Sequence, residues 1–290
     1  MNDLAIAIVN WNTRELLLSC LTRLAAAEPD AAVWVLDNGS ADGSARAVRE
    51  AFPQVHLLES PVNLGFAGGV NRLLSECDAE YLVLLNTDAI PDPGALSRLY
   101  DYAVAHPEVA AVGPLLVDGD ARAVGCHDRF PAFWQELANV LGWRRLPHHR
   151  EADTGVDWIG GACMLLRARA VKDVGLFDTS YFMYCEETDW CYRAHRAGWR
   201  IACLPDARVV HLVGRSGGVR RRAQLAESKI RFQGRYHSGL QARVLAAMLA
   251  ALNAVAWLGS VTRRGPRSRE AKSYAFALRA TSVALINLPR

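Results

Sequence analysis

A chain of 290 residues with 51% apolar side chains holds enough apolar material for one large domain plus a tail, or two small domains, which excludes a disordered polypeptide. Its formal charge of +3 conceals an asymmetry: acidic residues concentrate before Glu187 and basic ones after Arg208, and a basic C-terminal part suits phosphates or an anionic lipid surface. The seven cysteines, an odd number with no pair at metal-finger spacing, argue against a disulfide framework or a zinc finger and predict reduced thiols in a cytosolic compartment.

Met1-Asn2-Asp3 leads directly into a strand-length apolar segment, without the charged start, long apolar middle and cleavage site of a secretory leader, so export is not expected. Leu4 to Val9 predicts a strand, and Leu17, Cys20, Leu21 and Leu24 then recur at helical spacing. The same alternation repeats. Strands are predicted at Ala32 to Leu36, Val55 to Leu58 and Tyr81 to Leu85, with helices near Asp42 to Ala51, Gly68 to Cys77 and Pro93 to Ala105. Strands that are continuously apolar and alternate with helices imply a mostly parallel sheet covered on both faces, an α/β fold. Ligands of such sheets lie at the carboxyl ends of the strands. The segments there are Asn10-Trp11-Asn12, Asp37-Asn38-Gly39-Ser40, Asn63-Leu64-Gly65-Phe66 and Asn86-Thr87-Asp88, all polar or glycine-bearing.

Beyond Val109 a strand is predicted to Val117, followed by a connection from Asp118 to Asp153 without a clear period. A single strand is expected from Val156 to Leu166, carrying Gly160-Gly161. A helix is expected within Phe182 to Gly198, then a strand at Ile201 to Leu204 and a further one ending at His211. Val244 to Leu258 is apolar almost throughout and is followed by Arg263, Arg264, Arg267 and Arg269. At that length it is too short to cross a bilayer comfortably, and a buried helix and an interfacial one suit it equally.

Asp88 at the end of the strongest strand suits a hard divalent cation, which takes one or two carboxylates plus substrate phosphates; the same residues also suit a plain turn before Pro91. Asp37 is placed to accept from a base or ribose hydroxyl, although its segment equally suits a turn into a helix capped by Ser40 or Asp42. The glycines of Asn63 to Gly69 allow close backbone approach, with helix-start amides suited to phosphate oxygens, but the spacing is not the dinucleotide fingerprint. Glu186-Glu187-Thr188-Asp189 places three acids at a helix start, which the dipole alone favours; the apolar Phe182-Met183-Tyr184-Cys185 before them could raise a carboxyl pKa towards neutrality. His211 suits a core histidine or a metal ligand.

In their order and spacing these segments resemble the GT-A fold family 2 glycosyltransferases, within them the bacterial rhamnosyltransferase-like branch, over roughly the first three quarters of the chain. The resemblance rests on Val9 to Asn12, Asp37 to Ser40, Asn63 to Asn71, Leu85 to Asp88, Trp158 to Ala162, Glu186 to Asp189 and His211. It implies a donor bound by Asn10, Asn12, Asp37, Asn38, Asn63, Gly65, Phe66, Gly69, Asn71, Asn86 and Thr87, and an acceptor met by Trp158, Gly160, Gly161, Asp189 and Trp190. Asn86-Thr87-Asp88 stands where the family has its D-x-D motif, so Asp88 and His211 would hold Mg2+ or Mn2+. The family's base is the second acid of the pair, here Glu187; the family more often has Asp there, which leaves Glu186 as the other choice.

The resemblance further implies an inverting, metal-dependent transferase with a GT-A domain at 1–239 and a helical tail at 240–290. The donor would be a nucleotide-diphosphate sugar, dTDP-rhamnose by branch, and the acceptor a lipid-linked or polysaccharide hydroxyl in cell-envelope glycan synthesis. The expected location is the cytoplasmic face of the membrane, with the tail on the lipid surface or forming a homodimer, and nucleic acid is not among the expected partners. A catalytically silent sugar-nucleotide-binding subunit is the competing reading.

Overall fold

The structure is a computed structural model that describes residues 3–28, 31–124, 127–140, 155–212 and 219–287. Its elements run β1 (Leu4–Asn10), α1 (Arg14–Ala27), β2 (Ala32–Asn38), α2 (Ser44–Ala51), β3 (His56–Ser60), α3 (Gly65–Glu76), β4 (Tyr81–Leu85), β5 (Ala89–Pro91), α4 (Ala95–Ala105) and β6 (Val109–Val117). There follow β7 (His127–Asp128), α5 (Phe133–Val140), β8 (Trp158–Ile159), β9 (Cys163–Arg167), α6 (Ala168–Val174), α7 (Glu186–Arg196), β10 (Arg200–His211), α8 (Arg221–Tyr236), α9 (Gly239–Arg264) and α10 (Arg269–Asn287). The chain divides into two compact units, one of residues 1–129, 149–182 and 187–216, the other of 130–148, 183–186 and 217–290.

The first unit is built on an eight-stranded sheet in the order β3-β2-β1-β4-β9-β6-β10-β5. The expected strand-helix alternation produces its parallel part: β1 pairs in parallel with β2 and β4, and β2 with β3. Leu4, Ile6 and Ile8 of β1 pack with Leu17, Cys20, Leu21 and Leu24 of α1, the face set by the helical period. Cys163 and Val83 lie in the same core cluster. Buried apolar residues fill β4 from end to end, as a strand covered on both faces requires.

Four expectations along the chain are corrected. The Val156 to Leu166 segment is two strands: β8 pairs with β7 in a small separate sheet, and β9 enters the main sheet antiparallel to β4 and β6. Gly160-Gly161 lies at the break, where two residues without side chains weaken strand propensity. The two strands expected up to His211 are one, β10, parallel to β6; its register jumps between Leu204 and Arg208, so the segment containing Pro205 bulges without ending the strand. The aperiodic connection after Asp118 contains β7 and α5, while residues 141–154 lie outside the described residues.

In the second unit, α5, α8, α9 and α10 pack on one another. Phe133, Ile230, Ala242, Leu245 and Ala246 form the centre of one cluster, and Ala223, Ala277 and Ala280 the centre of another. Glu136, nearly buried on α5, receives Lys229 Nζ at 2.7 Å, and Gln233 Nε2 donates to the Pro131 carbonyl at 2.8 Å. The expectation that the apolar tail segment is too short to cross a bilayer is the fourth correction. The helix extends past Val244 and Leu258 at both ends to 26 residues, its most apolar window has a mean hydropathy of 1.9, and by length and composition it is sufficient to span.

Candidate active site

The candidate site lies in the first unit, at the carboxyl ends of its strands. β1 and β2 place Asn10 opposite Asp37. Asn10 is fully buried, and its side-chain amide donates to Asp37 Oδ1 at 3.0 Å and to Ser40 Oγ at 3.2 Å, while its Oδ1 accepts from Thr13 Oγ1 at 2.7 Å. The Ser40 backbone N–H reaches Asp37 Oδ2 at 3.1 Å, so neutral donors fix the carboxylate and leave it further acceptor capacity. The Thr13 hydroxyl lies 3.1 Å from that of Thr87, which links the Asp37 cluster to the turn after β4. Asn12, exposed and at φ +53°, receives the Ala41 amide on its Oδ1. Ser40 and Asp42 do not cap α2, which starts after Gly43; Asp42 accepts from the amides of Arg14 and Ser44 and so ties the starts of α1 and α2 together.

Asn38 shapes the glycine loop. Its amide nitrogen donates to Asn63 Oδ1 at 3.1 Å and to the Gly65 carbonyl at 3.0 Å, and its Oδ1 accepts from Leu64 N–H at 2.9 Å. Gly65 N–H goes to Asn63 Oδ1, and Phe66 N–H to the Phe182 carbonyl at 2.8 Å. Of the amides at this helix start, the N–H groups of Leu64, Gly65 and Phe66 are satisfied inside the protein. Gly65 at φ +75° abuts Phe182, where a Cβ would collide with its main chain. Gly69 serves packing, since a Cβ there would lie 2.8 Å from Val9 Cγ1.

Three residues expected at ligands turn inward. Asn71 uses both halves of its amide on the backbone of Phe177, at 2.8 and 2.9 Å. Asp189 is fully buried and pairs with Arg193 at 2.9 Å, one helical turn on. Trp190 is fully buried too, stacked on Phe177 with its indole N–H on the Gly175 carbonyl. The helical period puts these side chains on the core face of α3 or α7, where they brace the helices.

Asn86, Thr87 and Asp88 form a tight turn closed by Ala89 N–H on the Asn86 carbonyl at 3.1 Å. β5 then pairs antiparallel with β10, with Ala89 opposite His211, and Leu212 N–H donates to the Asp88 carbonyl. This pairing brings His211 Nε2 to 3.4 Å from Asp88 Oδ1. Asp88 is 2% exposed, and its Oδ2 is buried without a hydrogen-bond partner among the described residues. A buried carboxylate oxygen left in that state is costly unless something positive completes it, so the pair fits a divalent cation. No group of three or more His, Cys, Asp and Glu side chains that could hold a metal occurs among the described residues.

Glu187 stands at the start of α7. Burial pushes its carboxyl pKa up from 4.5 to about 7, against hydrogen bonds from its own and the Thr188 backbone N–H groups. The residue retains some exposure, but its Oε2 is shut off from solvent and has no hydrogen-bond partner among the described residues. A Cβ on Gly161 would lie 3.9 Å from Glu187 Cβ and 3.4 Å from Phe66 Cε1, so the glycine backbone runs between Phe66 and the acid. The next residue, Ala162, accepts the Asn86 N–H at 2.9 Å, which joins this strip to the Asp88 turn. Glu186 is buried as well, while Gly160 and Trp158 are half-buried and the Trp158 indole N–H goes to the Arg129 carbonyl. Thr13 is the part of the arrangement that sequence reasoning missed. Only the position of Thr13 just before the first helix signalled it.

A family model described as "Glycosyltransferase like family 2" matches residues 2–230. The chain is 33% identical over 215 residues to the N-acetylglucosaminyl-diphospho-decaprenol L-rhamnosyltransferase of Mycobacterium tuberculosis, covering 67% of this chain and 70% of that protein. It is 31% identical over 142 residues to the rhamnosyltransferase WbbL of Escherichia coli, covering 46% of this chain and 53% of WbbL. Among solved structures, the mannosyltransferase PcManGT of Pyrobaculum calidifontis, in complex with GDP-Man and Mn2+, superposes with a TM-score of 0.62 at 18% identity, over 98% of this chain and 87% of that one. With this sheet order and the match over most of its length, the chain belongs to glycosyltransferase family 2, has the GT-A fold and is similar to the family's rhamnosyltransferases.

Proposed function

We propose that this protein is an inverting glycosyltransferase that transfers rhamnose from dTDP-rhamnose to a hydroxyl of a polyprenyl-diphosphate-linked or growing polysaccharide acceptor in envelope glycan synthesis. The observation that carries the reading is the meeting of an incompletely satisfied buried Asp88 with His211, linked through Ala162 and Gly161 to a carboxyl whose pKa is near neutral. The donor class and the lipid-linked acceptor are supported by the names of the rhamnosyltransferase relatives.

Asp37, held by Asn10 and Ser40, accepts from the base or ribose of the donor, and Asn38 and Asn63 keep the loop around Gly65 open for the sugar. Asp88 and His211 would hold Mg2+ or Mn2+, which would supply positive charge to offset that of the departing diphosphate. Glu187 takes the proton from the acceptor hydroxyl, a task suited to a carboxyl that titrates near pH 7. A single nucleophile, the acceptor oxygen, displaces the diphosphate from the anomeric carbon in one step, which inverts its configuration. The work takes place at the inner membrane face, with the C-terminal helices against the lipid.

The test is transfer and donor hydrolysis by purified Asp88→Ala and Glu187→Gln proteins across a panel of nucleotide sugars, with the anomeric product read by NMR. Wild-type turnover in both variants would overturn the assignment.

A further inference from the structure

α8 begins with Arg221 and Arg222 after Arg220, and it has no acid in its first turn. The positive end of a helix dipole favours acids, so these arginines stand against the local field. They line a cavity of about 450 Å³ together with Val219, Arg264, Ser268, Arg269, Glu270 and Ser273, so that four guanidinium groups face a single carboxylate. Glu270 is already engaged by Arg264 at 2.5 Å. Arg221, Arg222 and Arg269 have no ion pair among the described residues, and Arg222 is held by stacking over the Tyr274 ring at 4.7 Å. The first turns of α8 and α10 both open onto this cavity, which adds two helix N-termini to the arginines.

A second cavity, of about 350 Å³, shares Arg264 and Glu270 with the first and continues along Val255, Ala256, Gly259 and Tyr274. It reaches the exposed side of α9, where Leu240, Val244, Leu252, Val255 and Leu258 recur near helical spacing; Val255 is 69% exposed. An arginine-lined cavity adjoining an apolar groove, beside an uncovered apolar helix face, has the chemistry of one amphiphile: a phosphate with an acyl chain.

We propose that the cavity of Arg221, Arg222, Arg264 and Arg269 binds the phosphate of an anionic phospholipid, whose acyl chain follows the Val255–Gly259 groove while the apolar side of α9 lies in the membrane surface. This deepens the membrane contact given above and rests on that reading for the membrane, not for the chemistry. Four arginines against one acid supply the charge complementarity, and each basic residue near an anionic surface adds about fivefold to partitioning.

The experiment floats full-length protein with phosphatidylcholine vesicles that contain or lack phosphatidylglycerol. Wild type is expected to float only with phosphatidylglycerol. The Arg221→Gln/Arg222→Gln/Arg269→Gln protein should lose roughly a hundredfold in partition coefficient while melting as wild type, and the corresponding Arg→Lys protein should retain most of the binding. Val255→Asp, at an exposed position, should weaken flotation with its arginines intact. Equal flotation of wild type and the Gln variant, or equal flotation on neutral vesicles, overturns the proposal. Protection against unfolding by inorganic phosphate that matches protection by the vesicles assigns the cavity to a free anion and overturns it as well. Arginine-dependent flotation of a wild-type protein that transfers no sugar would sink the transferase reading and leave this one standing.

Discussion

Replacement of Glu187 by Gln removes a charge but keeps the shape, and its consequences follow from one shifted equilibrium. The carboxyl titrates near 4.5 in an unfolded chain and at about 7 in the fold, because burial disfavours the ion. A folded pKa raised in this way contributes stability that is complete below pH 4.5 and is lost as the pH rises through 7. At about 1.4 kcal/mol per pH unit the wild type loses about 3 kcal/mol across that window, and Gln, with nothing to ionise, loses none of it. With an unfolding entropy of about 2.1 cal/mol/K per residue, that amounts to about 5 °C in Tm for a chain of this size. Melting curves of the two proteins should therefore lie together near pH 4.5, diverge towards pH 7 with the variant more stable, and run parallel above it. The variant should also lose at least about a hundredfold in transfer, and wild-type kcat/KM should fall on the acid side with a midpoint near 7. A Tm difference that stays constant from pH 4.5 to 8 would refute the buried carboxyl with a raised pKa on which the base assignment rests.

Asp88→Ala should lower transfer by about a hundredfold or more and abolish the Mn2+-dependent part of dTDP protection against thermal unfolding, while leaving the far-UV spectrum unchanged. His211→Ala should weaken the same metal dependence, seen as a higher Mn2+ concentration for half-maximal protection. Asn10→Ala, which removes the donors to Asp37 and Ser40, should raise the donor KM more than it lowers kcat and cost about 1–3 kcal/mol in a urea titration. Gly69→Ala forces a methyl against Val9 and should cost about 1–3 kcal/mol by the same titration, with the donor KM little changed.

The alternation of apolar runs and helical periods was sufficient to place β1 to β4 and their helices, because each strand there is covered on both faces and each helix shows its buried stripe. Local period carries no information about sheet neighbours. Hence the insertion of β9 between β4 and β6, antiparallel to both, and the return of β5 against β10 were not legible, although the latter is what brings Asp88 to His211. Strand ends marked Asp37 and Asp88 because polar residues after apolar runs are conspicuous. The inward partners of Asn71, Asp189 and Trp190 were not legible for the opposite reason: these residues belong to helices, where a rotation of one residue separates an outward-facing side chain from a core one. The register shift between Leu204 and Arg208 lets β10 run on as one strand, which an apolar run ending at Leu204 does not reveal.

Burial of Cys20, Cys163 and Cys191 raises each thiol from 9.0 to about 12, with the charge of Asp88 adding to the effect at Cys20. Since only the thiolate reacts with alkylating agents and disulfide reagents, these sulfurs are chemically silent while the sheet is closed. They thus form a built-in timer: the rate at which a thiol probe modifies Cys20 and Cys163, resolved by peptide mass, reports how often β1, α1 and β9 separate, and bound donor should slow that clock in proportion to its grip.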